Sequence, residues 1–259
     1  MKKHILAALA IAALAGQLFA GDLKITYKQE TKAMSTTQKS ESVHYYSSRF
    51  QRVNNNQEKL DSLTDYKDLT TYQIDHKKKT ISKFTLDDML KAMKLVSAQA
   101  QNVDPQTKKM MEAMFGSGGT VKTEKLGKAT VAGRTCDKWK ITMGKTAYVI
   151  SADPSLDVPI PKSAWEKGSQ LKDAMSIAAP GMGDMIAKLL PEMAKIKGVQ
   201  LKTETEMSMM GITTKTLLEA TKIETGSIPA SMFELPKGYK MEDAGKKMVE
   251  ELQKSAKKK

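Results

Sequence analysis

The chain has 259 residues, 40% of them hydrophobic but only 5% aromatic, so aliphatic side chains and the 18 methionines must fill its core. This length is compatible with one large domain or two small ones. The formal net charge of +13 is spread along the chain without the basic–aromatic stripe of nucleic-acid-binding proteins, which argues against nucleic acid as a partner. A solvated cationic surface is the simplest interpretation of this charge, and attraction to anionic membrane lipids is the alternative.

The first 20 residues have the pattern of a cleavable secretory signal peptide. Lys2 and Lys3 precede an apolar run from residue 5 to residue 14, which is too short to cross a bilayer. Cleavage is predicted after Ala20, and cleavage after Ala15 is the alternative. Because no Cys lies near either position, the mature protein is expected to be periplasmic or secreted, soluble and without a lipid anchor.

The mature chain begins with segments typical of β-strands. Apolar and polar side chains alternate with period two from Leu23 to Glu30, which predicts a strand with one buried face. Residues 42–53 form a second candidate strand, and three asparagines at 54–56 indicate a turn. Residues 69–76 and 80–85 are predicted to form a hairpin around three lysines.

The period then changes to that of a helix. Apolar residues from Leu86 to Val96 follow i, i+3, i+4 spacing, and Thr85 with two following aspartates is typical of a helix N-terminus. Pro105 can open a second, short helix. The remaining predicted elements are strands at 121–131, 137–143 and 145–151, helices at 162–178 and 182–197, strands at 201–209 and 212–223, an extended segment at 228–239 and a polar helix at 242–254.

Strands therefore come in runs, and helices are inserted between the runs as blocks. This order predicts an α+β fold with an antiparallel sheet rather than a parallel βαβ fold. We expect residues 21–240 to form a single domain, followed by a polar, Lys-rich helix and tail at 241–259.

Few residues suited to catalysis or metal binding are present. The mature chain has two histidines, His44 and His76, in separate predicted strands, with no zinc-ligand spacing, nucleophile turn or phosphate-binding loop. We therefore expect no enzymatic activity and no cofactor. Cys136 is the sole cysteine, so no internal disulfide can form. We expect Cys136 to be a small buried hydrophobe, although pairing with another chain or with a metal is an alternative.

Methionine is the unusual component of this composition. A thioether copper site at Met207, Met209 and Met210 is one interpretation, because soft sulfur ligands select Cu(I). Core packing is a second, since most of these residues fall on predicted buried faces. A third is an adaptable apolar pocket, because unbranched Met side chains re-pack easily around different ligands.

Three segments together resemble an exported bacterial family, domain of unknown function 4412. They are the strand start at 22–27, the central Thr-Val-Ala-Gly-Arg-Thr-Cys-Asp-Lys-Trp at 130–139 and the closing Phe-Glu-Leu-Pro-Lys-Gly-Tyr at 233–239. That family in turn is similar to the LolA/LolB-type lipoprotein carriers. The resemblance implies a curved antiparallel sheet, an incomplete barrel whose open, concave side is covered by helices, and a periplasmic role in binding an apolar ligand, a lipid or a lipidated protein.

The resemblance implies no catalytic residue, and a cavity would lie between the sheet and the helix pairs. The side chains expected to line it are Met89, Met93, Met182, Met185, Ile186, Leu189 and Met193. Two alternatives stay open: an envelope structural or interaction protein without a ligand, and a copper-handling protein.

Overall fold

A computed structural model describes residues 21–100, 121–143, 146–164, 166–167, 170, 188–209 and 212–256, excluding the side chains of residues 97–100 and 208–209. Within these ranges the strands are β1 (Leu23–Ala33), β2 (Thr36–Tyr46), β3 (Phe50–Asn55), β4 (Leu60–Asp65), β5 (Thr70–Asp75), β6 (Thr80–Phe84), β7 (Val121–Val131), β8 (Arg134–Met143), β9 (Thr146–Asp153), β10 (Val199–Met209), β11 (Ile212–Thr225) and β12 (Lys240–Asp243). The helices are α1 (Leu86–Ala100), α2 (Ala244–Ala256), a 3-10 helix (Ala230–Phe233) and a helical segment at 188–193, and residues 162–164, 166–167 and 170 are also helical.

These twelve strands form one open sheet in the order β12-β6-β5-β4-β3-β2-β1-β11-β10-β9-β8-β7. Every neighbouring pair is antiparallel except β12 and β6, which are parallel. The long pairing of β1 with β11 connects the N-terminal strands to those from the second half of the chain. The predicted α+β fold with a curved antiparallel sheet is confirmed. Among the described residues, no helix is long and apolar enough to cross a membrane.

The main buried cluster extends across the middle of the sheet. It joins Leu23, Ile25 and Tyr27 of β1 to Cys136 of β8 through buried side chains of β11, of β10 and of the segment after β9. The prediction that Cys136 is a small buried hydrophobe is confirmed, because its exposed fraction is 0%.

Local sequence signals explain how α1 begins. The Asp88 amide donates to Thr85 Oγ1 at 3.1 Å, and Thr85 Oγ1 donates to Asp88 Oδ2 at 2.6 Å, a reciprocal cap that satisfies otherwise unpaired groups. Gly245 of α2 lies against this turn, because a Cβ on it would come within 2.7 Å of Asp88 Oδ2. The C-terminal region thus adds β12 to the sheet edge and packs α2 on α1.

Three predictions of local structure differ from the observed elements. The strand predicted at 42–53 is two strands, because Ser47 closes a turn in which its Oγ accepts from the Phe50 amide at 2.9 Å. The strand β4 was not predicted, because it spans only six residues and two of the six are aspartates. The segment at 228–239, predicted to be extended, contains the 3-10 helix at Ala230–Phe233, with the Met232 amide donating to the Pro229 carbonyl at 2.9 Å.

Segment 228–239 covers the convex face of β3–β6. Phe233 packs on Leu63, Ile74 and Ile81 in a second buried cluster. Arg52 of β3 holds this segment in place, because its Nη1 donates hydrogen bonds to the main-chain carbonyls of residues 232 and 234, at 3.0 and 3.1 Å. Arg52 Nη2 also donates to Asp61 Oδ2 at 2.7 Å, and both residues are buried.

Replacing Arg52 with Ala should destabilise the protein strongly. The change leaves the buried Asp61 carboxylate without its guanidinium and leaves two carbonyls unpaired, and breaking a buried ion pair costs roughly 3–5 kcal/mol. Urea unfolding followed by circular dichroism would measure the loss. Arg49→Ala is the matched control, because its ion pair with Asp65 is exposed and contributes little. Equal loss in both variants would contradict this account.

Candidate apolar-ligand site

The two faces of the central strands differ completely in charge. Residues that pair across adjacent strands share a face, and successive residues alternate between faces. We call the face that carries Tyr27 the inner face and the face that carries Lys28 the outer face. By register, every charged residue of β1, β2, β10 and β11 lies on the outer face: Lys24, Lys28, Glu30, Lys32, Lys39, Glu41, Lys202, Glu204, Glu206, Lys215, Glu219, Lys222 and Glu224.

Uncharged side chains occupy the inner face of the same strands and most of its continuation on β8 and β9. Hydroxyl, aromatic and aliphatic residues predominate there: Tyr27, Gln29, Thr31, Ser40, Ser42, His44, Trp139, Ile141, Met143, Thr146, Tyr148, Ile150, Thr203, Thr205, Met207, Thr214, Thr216 and Leu218. At the edge toward β7 the register also places Asp137 on this face, in ion pairs with Lys125 and Lys128, and Lys125 Nζ lies 5.3 Å from the centroid of the Trp139 ring. Burial decreases along this face, from the closed end at Leu23 to the hairpin end, where Gln29 and Met207 are exposed. The inner face of β1, β2, β10 and β11 is therefore uncharged, and it becomes more exposed toward the hairpin turns.

A group of ring side chains occupies the inner face near its closed end. Tyr27 reaches across β11 and donates its hydroxyl to the Gln200 carbonyl of β10 at 2.9 Å. The His44 ring lies edge-on to Tyr27, with 4.8 Å between ring centroids, and its Nδ1 is 3.2 Å from the Tyr46 hydroxyl. Burial lowers the pKa of His44 to about 4 and raises the pKa of both tyrosines. All three groups are therefore neutral near pH 7.

Trp139 marks the side of the inner face toward β7–β9. Leu189 and Met193 of the helical segment at 188–193 pack against a buried cluster that contains Ile141 and Ile150, and Trp139 lies in the same cluster. The Trp139 indole N–H is buried and has no hydrogen-bond acceptor among the residues that the structure describes. An unsatisfied buried donor of this kind costs about 1–3 kcal/mol, so an acceptor supplied by a ligand or a water would be favourable here.

The predicted cavity-lining residues fall into three groups. Leu189 and Met193 pack on the inner face of β8 and β9. Met89 and Met93 lie on α1 and are partly buried, and no buried cluster within the described ranges joins them to the first pair. Met182, Met185 and Ile186 lie outside the described residues. The cavity lined by all seven residues therefore stays a prediction.

A separate, open cleft of about 470 Å³ lies beside the start of α1. None of the predicted lining residues belongs to it. Residues from the β4–β5 turn, from the start of α1 and from the segment after β9 form its wall: Asp68, Thr70, Thr85, Leu86, Asp87, Leu90, Lys167 and Gln170. The cleft is therefore a different feature from the cavity that the sequence predicts.

The structure adds little to the copper hypothesis. Met207 lies on the inner face of β10 and is 39% exposed. The Met209 side chain and all of Met210 lie outside the described residues. Within the described part of the chain, no group of three or more His, Cys, Asp or Glu side chains is arranged to hold a metal ion.

The inner face as a whole was not predicted, although its signal is present in the sequence. In β10, Lys202, Glu204 and Glu206 alternate with Thr203 and Thr205. Alternating Thr residues in a single strand are compatible with many kinds of sheet. Uncharged positions at period two in several strands are the signal that indicates this face.

No protein-family model matches the chain, and no curated protein sequence does. Solved structures resemble it at low identity. PNGF-II is 13% identical with a TM-score of 0.40, over 90% of this chain and 33% of that chain. The Pseudomonas aeruginosa MucA/MucB complex is 11% identical with a TM-score of 0.37, over 83% and 56%. A domain assigned as an outer membrane lipoprotein-sorting protein from Vibrio parahaemolyticus is 8% identical with a TM-score of 0.32, over 83% and 90%.

The chain thus spans about one third of PNGF-II and little more than half of the matched chain in the MucA/MucB complex. TM-scores below 0.5 define no common function, so function has to be argued from the inner face itself. Membership of the domain of unknown function 4412 family stays a prediction.

His44 should make the stability of the protein depend on pH between about 6.5 and about 4. Below pH 6.5 the unfolded chain takes up a proton that the folded protein binds only near pH 4, so the free energy of unfolding falls as pH drops through this window. The expected loss is about 3 kcal/mol. Urea unfolding of the parent protein and of the His44→Gln variant, each measured above pH 6.5 and below pH 4, would isolate the contribution of His44 to the free energy of unfolding. An identical pH dependence in the two proteins would contradict the assignment.

Proposed function

We propose that this protein is an exported, non-enzymatic binding or carrier protein for an apolar ligand such as a lipid or the acyl chain of a lipidated protein. The observation that carries the proposal is the absence of charge from the described inner face of β1, β2, β10 and β11, while the outer face of the same strands carries thirteen charged residues. Hydration of both faces would not require all the charged residues of these strands to lie on one face.

Burial energetics support an acyl ligand. Each methylene moved from water to an apolar surface contributes about 0.8 kcal/mol, whereas a nearby unpaired ionised group would lose part of its hydration and oppose binding. Threonine methyl groups on the inner face offer apolar contact, and their hydroxyls can bond water where the face is open. Such a surface suits an acyl chain that stays hydrated along part of its length.

The Trp139 indole N–H gives the same surface a polar contact. A carbonyl oxygen next to an acyl chain, as in an ester or an amide-linked lipid, would satisfy this donor while the chain lies against Ile141 and Ile150. Met193 belongs to the same cluster, and a flexible thioether side chain can re-pack to admit a ligand.

The titration of the described inner-face groups supports binding rather than catalysis. General acid–base catalysis is most efficient when the pKa of the catalytic group lies near the working pH. The pKa of His44 is shifted down to about 4, and the pKa values of Tyr27 and Tyr46 are shifted up by burial. These three groups are thus poorly suited to transfer protons near neutral pH.

Placing a charge on the inner face should abolish binding. Leu217 and Leu218 are adjacent on β11 but lie on opposite faces, so they form a matched pair. We expect Leu218→Lys to weaken binding of a dansyl-labelled fatty acid at least tenfold, and Leu217→Lys to leave the affinity unchanged. Thr216→Lys, on the inner face nearer its open end, provides a second variant in case Leu218→Lys does not fold.

Native mass spectrometry of protein purified from the periplasm would supply the direct observation. A co-purifying lipid that is lost in the Thr216→Lys variant would support the proposal. Absence of any bound lipid, together with no dansyl signal from the folded parent protein, would favour an envelope structural protein without a ligand.

A further inference from the structure

Three exposed apolar side chains lie together at the open end of the inner face. Of the seven large apolar residues exposed within the described ranges, Met34 is 77% exposed, Met207 39% and Ile212 38%. Met34 lies in the β1–β2 turn, and the other two lie near the β10–β11 turn. Their neighbours Ala33, Thr214 and Met207 pair side by side across β1, β11 and β10. The β1–β2 turn and the described ends of β10 and β11 are therefore adjacent, and we call the surface formed by Met34, Met207 and Ile212 the rim.

Lysines surround the rim on its outer side. Lys32 and Lys39 share one carboxylate, because their Nζ atoms lie 2.7 and 3.4 Å from the two oxygens of Glu30. Lys32 also pairs directly with Lys215 across β1 and β11, and Lys215 contacts Glu206 at 3.1 Å. Three lysines and two glutamates therefore lie beside the rim, which gives this surface a net positive charge, in a chain whose net charge is +13.

We propose that the rim docks on an anionic lipid bilayer. Exposed apolar side chains flanked by lysines match the interfacial region of such a bilayer, where apolar groups enter the acyl boundary and cations contact the headgroups. Met207 and Ile212 are also inner-face positions close to the turn that joins their strands. The surface that would enter the bilayer is therefore continuous with the surface proposed to hold the ligand.

This continuity deepens the proposed function by naming where the ligand is exchanged. An acyl chain leaving the bilayer at the rim would pass onto the inner face with little exposure to water. Three partly exposed side chains and a small excess of charge give weak, reversible attachment, which suits a carrier that must leave the membrane again. The attachment should weaken as salt screens the lysines.

Flotation with vesicles tests the proposal. The parent protein should float with vesicles of phosphatidylglycerol and phosphatidylcholine, bind vesicles of phosphatidylcholine alone far less, and lose binding at high salt. Met34→Asn combined with Ile212→Ser should reduce binding about tenfold. Asn is well suited to position 34, where φ is 52°, so the thermal midpoint should be unchanged or raised. Met241→Ser is the matched control, since Met241 is exposed on β12 at an edge of the sheet.

A second pair of variants tests the charge. Lys32→Gln with Lys39→Gln should weaken binding to the anionic vesicles several-fold, whereas Lys246→Gln with Lys254→Gln on α2 should leave it unchanged. Equal binding to neutral and anionic vesicles, or equal loss in the rim and control variants, would overturn the proposal. So would a dimer, seen by light scattering, that Met34→Asn dissociates, because the rim would then be covered by a second copy of the chain.

The rim and the inner face can be tested apart. Binding of the dansyl-labelled fatty acid in solution without vesicles should be unaffected by Met34→Asn, because residue 34 lies in the turn beyond the inner face. If the inner face binds no fatty acid but the rim still binds vesicles, only the proposed carrier function fails. If fatty acid binds and vesicles do not, only the docking proposal fails.

Discussion

The register between β1 and its two neighbours is the constraint on which the rest of this structure depends. Side chains alternate between faces, so a shift of one residue would move every lysine and glutamate of a strand to the concave side. Ion pairs on the outer face fit the observed register, as between Lys24 and Glu224 at 3.0 Å and between Glu30 and Lys39 at 3.4 Å. Each exposed pair adds little stability, but charge buried on the wrong face would cost much more.

Given that register, different parts of the sheet are covered on opposite faces. Over β3–β6 the cover is segment 228–239 on the convex side, held by Arg52. Over β8 and β9 it is the helical segment at 188–193 on the inner face. The central strands between these regions remain partly exposed on their inner face toward the hairpin turns. This partly open, uncharged region at the centre of the sheet is the feature on which the proposed binding role rests.

The same arrangement accounts for the behaviour of the ionisable groups. On the outer face, charged side chains remain hydrated and paired. Inside, the shifted pKa of His44 keeps its ring neutral at physiological pH, so the inner surface carries no charge from this group when a ligand would bind. The polar groups that remain on the inner face of β1, β2, β10 and β11 include hydroxyls and the amides of Gln29 and Gln38. Such groups can orient a ligand without the desolvation cost of a buried ion.

Local patterns in the sequence by themselves determined most of the elements: the alternation in β1, the hairpin of β5 and β6, the Thr85 cap of α1 and the long strands β7 to β11. They determined the α+β class as well, because strand runs and helix blocks can be recognised from period alone. Tertiary structure alone decided the position of segment 228–239 against Arg52 and the partners of Trp139. These depend on contacts between residues far apart in the chain, such as Arg52 with the carbonyl of Met232, and local periodicity contains no information about such contacts.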